Sequence, residues 1–300
     1  MRPAPLRPLG VGEILDVGIN ICLRHAGTLL RLTLGIAVPV GILSTLINVS
    51  AVADDEQDDG QIGTGGIDAT GQTSLPDDSW TELAGLGAST LVTLLAAVFA
   101  TTACFRALSE AYLGRSPDWR QSYRFAAPRF LPVLWVTMLT VIGAMLGLVL
   151  LVVGAIAFYV FWSVAVPVVL AEDVRGTRAL RRSWSLVRGR WWPAFGVLVI
   201  GSILGGIVSV GLLAVTDLVV PGESDSVGRI VADGLAQVLG SAIATPLTAA
   251  FTVVLYFDLR VRKEGFDLEL LADRLAGRAV PSGPLSGGPP EIHGDDRPLW

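Results

Sequence analysis

Charge is scarce in this chain. Asp, Glu, Lys and Arg together make up 16% of its 300 residues, where soluble domains carry roughly a quarter. Apolar residues make up 52%, and the mean hydropathy is +0.60. Too little charge is present to cover a water-facing surface, which excludes an ordinary soluble domain. Histidine is nearly absent: there is His25, and there is His293 in a Pro/Gly-rich tail. No nucleophile–base set, P-loop or metal-ligand cluster can be assembled from such a supply. The chain is therefore expected not to be an enzyme, and to need no cofactor and no metal. Cysteine is limited to Cys22 and Cys104, which is no disulfide framework, and both fall on the side assigned below to the reducing cytoplasm. A cleavable leader is not expected either. The first long apolar run starts only near residue 29, after Glu13, Asp16 and Arg24, and no small-residue cleavage site follows promptly. That first run is expected to be retained.

What the chain does have is long uncharged runs. Candidate spans are 29–50, 83–105, 131–151, 154–172, 194–216 and 235–257, each near the ~18 apolar residues that mark a transmembrane helix. The region 131–171 has no charge over 41 residues. As one helix it would reach ~60 Å, about twice the hydrocarbon core, so two helices with a tight turn near Gly154 are expected.

Arginine placement predicts orientation. The segments before span 1, between spans 2 and 3, between spans 4 and 5, and after span 6 hold 21 of the 22 basic residues, with Arg31 counted as a snorkelling residue at the boundary of span 1. Residues 51–82 hold nine acids and no base, and 217–233 hold four acids and Arg229. Positive charge stays inside, so both termini are expected in the cytoplasm and the acidic loop 51–82 outside, with the protein multi-pass in a bacterial inner membrane.

Each cytoplasmic approach to a hairpin shows an apolar stripe at helical spacing. The stripes are Leu15, Ile19, Cys22 and Ala26, then Trp119, Tyr123, Ala126 and Phe130, then Leu180, Trp184, Val187 and Trp191. Aligning the last two puts Ser122 on Ser183 and Pro132 on Pro193. The expected architecture is all-α: six transmembrane helices in three repeats, each an interfacial amphipathic helix (about 11–26, 117–130 and 176–192) followed by a hairpin. This membrane domain would occupy 1–276, with 277–300 a disordered cytoplasmic tail rich in Pro and Gly.

The most basic stretch is 178–192, "RALRRSWSLVRGRWW". Arg178, Arg181, Arg182, Arg188 and Arg190 lie around the apolar stripe, and Trp184, Trp191 and Trp192 suit the headgroup layer, which indole rings prefer. Anionic lipid headgroups are the expected partner, with an unidentified membrane or cytoplasmic protein as a sharper alternative. Nucleic acid is not expected, because the tryptophans are needed for the apolar face. After span 6, "DLRVRKEGFDLE" alternates in sign. Asp258, Arg260, Arg262, Glu264 and Asp267 read as a solvated helix start, or as an ionic latch to Glu13, Asp16 or the arginine helices.

Other features read as structural. Asp55, Gln57, Asp59, Gly60 and Ile62 match the first half of an EF-hand loop, but Gly66 stands where the bidentate Glu belongs, so a solvated loop is expected. Gly201 with Gly205, and Gly143 with Gly147, have GxxxG spacing, read as close packing within the chain. No ionisable residue lies deep in a span, which argues against a proton-driven pump. Hydroxyls such as Thr101 and Ser163 are expected to bond within or between helices.

The stretches "RPLGVGEILDVGINICLR", "ALRRSWSLVRGRWW" and "YFDLRVRKEGFDLE" resemble a family of bacterial, often actinobacterial, integral membrane proteins called glycerophosphoryl diester phosphodiesterase membrane domain-like. The resemblance runs from about residue 7 to 275. It implies a membrane module. The family's name comes from fusions to a soluble catalytic barrel, whose metal-binding motifs this chain lacks, so no catalytic residue carries over. The expected function is a non-enzymatic membrane module acting as scaffold, anchor or sensor. The alternative is a transporter of a small solute or lipid, or an auxiliary transporter subunit.

Overall fold

The computed structural model describes residues 9–57, 79–149, 152–220 and 227–265. Among these there are nine α-helices and no strand. In chain order they are α1 (Val11–Arg24), α2 (Ala26–Gln57), α3 (Ser79–Tyr112), α4 (Trp119–Val149), α5 (Val152–Trp162), α6 (Ala165–Glu172), α7 (Thr177–Val187), α8 (Trp191–Val219) and α9 (Val227–Glu264). Six segments are long and apolar enough to cross a membrane: Ala26–Ile47, Gly87–Tyr112, Trp119–Gly147, Val153–Glu172, Trp191–Val219 and Gly228–Glu264. The chain is an all-α, six-span membrane protein. The uncharged run 131–171 does divide, with α4 ending at Val149 and α5 beginning at Val152. The tail 277–300, Asp267, and Asp59, Gly60, Ile62 and Gly66 of the acidic loop lie outside the described residues. Asp55 and Gln57 have helical backbone that continues α2.

The fourth span is broken. α5 stops at Trp162 and α6 starts at Ala165. Pro167 sits in the first turn of α6, where its missing N–H has no carbonyl to lose.

One of the three expected surface helices is not separate. Residues 117–130 do not form their own element; α4 runs unbroken from Trp119 through Pro128 and Pro132 into the span. The other two are set apart by a local break. His25 (φ −113°, ψ 20°) caps α1. Gly189 (φ +87°) follows α7, in a left-handed conformation that a side chain would resist. Nothing of that kind stands between Trp119 and Leu131, so the helix carries through, losing only the hydrogen bonds that Pro128 and Pro132 cannot donate.

α9 is the hub. It packs against α1, α2, α3, α6, α7 and α8, and from Phe251 to Val261 every residue except Thr252 is buried. A helix apolar on all sides belongs in the middle of a bundle. Glycine permits the close approach. The Phe251 ring lies where a Cβ on Gly18 of α1 or on Gly201 of α8 would come within 2.7 Å of it. Thr248 lies against Gly205, Trp162 against Gly143, and the Ala155 backbone against Gly147. Both GxxxG pairs are thus filled from within the chain.

Several polar groups in the bundle are met by backbone. Pro246 lies within α9 and leaves the Ala242 carbonyl without its helical donor. The buried Thr33 hydroxyl of α2 supplies one at 2.9 Å. Thr101 and Ser163 donate to the carbonyls of Ala97 and Val160.

Candidate functional site

The helix ends gather charge very unequally. Among the described residues, Arg229 is alone among basic side chains at the end formed by the α8–α9 connection. It meets Asp217 and, at 3.0 Å, Asp233, which also accepts from Thr216 at 2.9 Å. Every other described basic residue lies toward the opposite end, with α1, α7 and the last turns of α9.

α7 is built to lie on that end. Its buried face is Ala179, Leu180, Ser183, Leu186 and Val187, spaced as one side of a helix. The expected stripe of Leu180, Trp184, Val187 and Trp191 is corrected here. Trp191 and Trp192 open α8, beyond the break at Gly189, and Trp184 sits at the rim. Trp184 is 36% exposed and stacks on Phe161 at 3.8 Å between centroids. Ser183 is fully buried because its hydroxyl donates to the Phe161 carbonyl at 2.7 Å, in the last turn of α5, where carbonyls lack helical partners. Trp191 stacks on Phe195 at 5.1 Å. Trp192 packs edge-on against Trp191 and stays 74% exposed.

The arginines divide by direction. Arg178, Arg181 and Arg188 are exposed, and Arg190 is half-buried at the start of α8. Arg182 turns inward. Its Nε donates to Glu172 Oε2 at 2.7 Å and its Nη2 to Glu172 Oε1 at 3.2 Å, and it also pairs with Glu264. Tyr256 donates its hydroxyl to Glu172 Oε1 at 3.0 Å. Burial pulls the Arg182 guanidinium down, but the hydrogen bonds and charges of Glu172 and Glu264 outweigh it and hold the group above its usual value.

The alternating segment at the end of α9 is a latch. Arg260, almost fully buried, donates to Glu264 at 3.1 Å and lies over the Tyr256 ring. Asp258 accepts the Leu9 N–H at 2.7 Å and is gripped by Arg262, whose other arm donates to the Leu9 carbonyl at 2.6 Å. Lys263 donates to the carbonyls of Ser185 and Arg188 (2.7 Å to the latter), placing a cation at the negative end of the α7 dipole. The structure thus brings Asp258, Arg260, Arg262 and Glu264 together with Arg182 and the Leu9 backbone. Glu13 accepts from Gly10 at its own helix start, and Asp16 from Asn20.

Sequence reasoning missed Glu172 and Tyr256. Glu172 did leave a signal. It closes a 41-residue uncharged run at a helix C-terminus, where a negative charge is unfavourable unless a cation meets it. Tyr256 is hidden among apolar neighbours in "VVLYFDL" and gave none. Among the described residues no three His, Cys, Asp or Glu are placed to hold a metal ion.

The chain matches the model of one protein family, described as a domain of unknown function (DUF8558), over residues 121–286. No curated protein and no solved structure matches it.

Proposed function

The chain belongs to the DUF8558 family, and from that premise we propose that it is a non-enzymatic membrane module that anchors or scaffolds at an anionic cytoplasmic lipid surface. The observation that carries this reading is the division of arginines on α7. Arg182 is committed to the protein, whereas Arg178, Arg181 and Arg188 point away from it. Side chains of that kind, beside Trp184 and Trp192, suit phosphate headgroups. The latch supports the same reading, because it fixes α7 in depth and orientation through Lys263, Glu264 and Glu172. The charge asymmetry of the two ends supports a cytoplasmic arginine end, and hence both termini inside a bacterial inner membrane. Glycine seams filled by Phe251 and Thr248 favour a fixed bundle over one that alternates between two shapes.

Native mass spectrometry of the protein released from phosphatidylglycerol-containing nanodiscs tests the proposal. Wild type should retain anionic lipid in preference to phosphatidylcholine. The triple variant Arg178→Glu, Arg181→Glu, Arg188→Glu should lose most of that preference while keeping its helicity. Equal retention by both proteins would overturn the reading.

A further inference from the structure

A second cluster lies across the bundle end, where α3 and α4 pack together. Arg106 of α3 and Arg129 of α4 both stack on the Phe125 ring, at 5.0 and 4.0 Å from its centroid. Arg106 pairs with Glu110 at 2.7 Å. Arg129 has no carboxylate among the described residues; its one hydrogen bond there, to the Phe125 carbonyl, is long at 3.5 Å. Among the described residues, the Nε atoms of both arginines are buried without a partner. Two guanidinium groups thus share one ring with one carboxylate paired to them, which among the described residues leaves a half-buried positive charge uncompensated.

Such a charge is costly near a bilayer unless an anion meets it. The stack on Phe125 holds both guanidinium groups against one ring, and a guanidinium offers the fork of donors that phosphate oxygens accept in pairs. The height fits as well. Arg129 comes just before the exposed Leu131 and Trp135, an apolar and an indole side chain of the sort that faces acyl chains and headgroups.

We propose that Arg106 and Arg129, held on Phe125, form a phosphate-binding site between α3 and α4 that takes the phosphodiester of an anionic phospholipid. It is separate from the α7 surface and stands without it.

The test uses the whole protein carrying Arg178→Gln, Arg181→Gln and Arg188→Gln, so that α7 no longer contributes. One phosphatidylglycerol should still be retained in native mass spectrometry, and Arg129→Gln in that background should lower its occupancy about ten-fold, the effect of one lost charge-assisted contact. Arg129→Lys keeps charge and stem but loses the planar fork, and should fall between the two. It also serves if the glutamine variant does not fold. Inorganic phosphate at millimolar concentration is the second probe. Failure of phosphate to displace the lipid supports a headgroup site, and displacement that itself needs Arg129 supports the site with free phosphate as its source. Unchanged lipid occupancy and no Arg129-dependent phosphate effect would overturn the proposal.

Discussion

Arg182 and Glu172 face each other through two parallel hydrogen bonds, 2.7 and 3.2 Å long, that tie α7 to the end of the fourth span. Neither residue is far from the surface, with side-chain exposures of 29% and 15%. The pair therefore stabilises less than a fully buried one, roughly 1–3 kcal/mol for a charge-assisted contact at such a site. Its larger effect is local. Arg182→Gln should free α7 and raise amide exchange across 177–187 about ten-fold, while α9 stays protected. Arg181→Gln, one residue away and exposed, should leave exchange unchanged. Equal protection in both variants would show that the apolar face alone holds the helix.

The Phe251 ring makes a similar point about space. It fills the gap between Gly18 and Gly201, each 2.7 Å from the ring were it to carry a Cβ. Gly18→Val and Gly201→Val should each lower thermal stability, by about 1–3 kcal/mol as overpacking does. Gly12→Ala, with nothing within 4 Å, should be neutral or slightly stabilising through helix propensity. Adding Phe251→Leu to Gly201→Val should recover part of the loss, because the clash is with that ring. A double variant no better than the sum of its parts would refute the steric account.

Thr33 and Pro246 form a compensating pair although they are far apart in sequence. Removing the hydroxyl in Thr33→Val leaves the Ala242 carbonyl unpaired in the bundle, at a cost of ~1–3 kcal/mol. Pro246→Ala restores an N–H that can bond that carbonyl within α9. The valine should then cost much less in the alanine background than in wild type. Thermal denaturation of all four proteins reads this out as a coupling energy, and additive effects would break the link.

Spans and their ends were legible because they rest on composition. A long uncharged run has few other structures open to it, and arginine marks its flanks. Local continuity was less legible. The same apolar spacing opens α4 and precedes α8, yet only the second is interrupted, because Gly189 takes a left-handed backbone that the 119–130 stretch has no residue to match. The latch was half legible. Sign alternation singled out Asp258, Arg260, Arg262 and Glu264, but it could not tell which charges they meet. Their partners, Arg182, Glu172 and a backbone N–H at Leu9, are set by how helices distant in sequence pack, and no spacing encodes that.

Orientation yields the last prediction, and the native cysteines make it simple to read. Burial pushes the Cys22 thiol up to about 12. A raised value keeps the thiol protonated until the pH approaches it, so near pH 7.5 Cys22 carries roughly a thousand-fold less thiolate than an ordinary cysteine. Cys104 is fully buried. Neither should react with a membrane-impermeant maleimide, and new cysteines can be introduced without removing them. Ser185 is exposed on the arginine end, and the contact to Lys263 uses its backbone carbonyl, so Ser185→Cys should keep the fold. It should label in inverted vesicles and not in intact spheroplasts, whereas Gly60→Cys in the acidic loop should do the reverse. Three spans lie between them, α3, α4 and the broken span of α5 and α6, and an odd number forces opposite behaviour. Labelling of both from the same side would contradict that parity and with it the cytoplasmic assignment of α7.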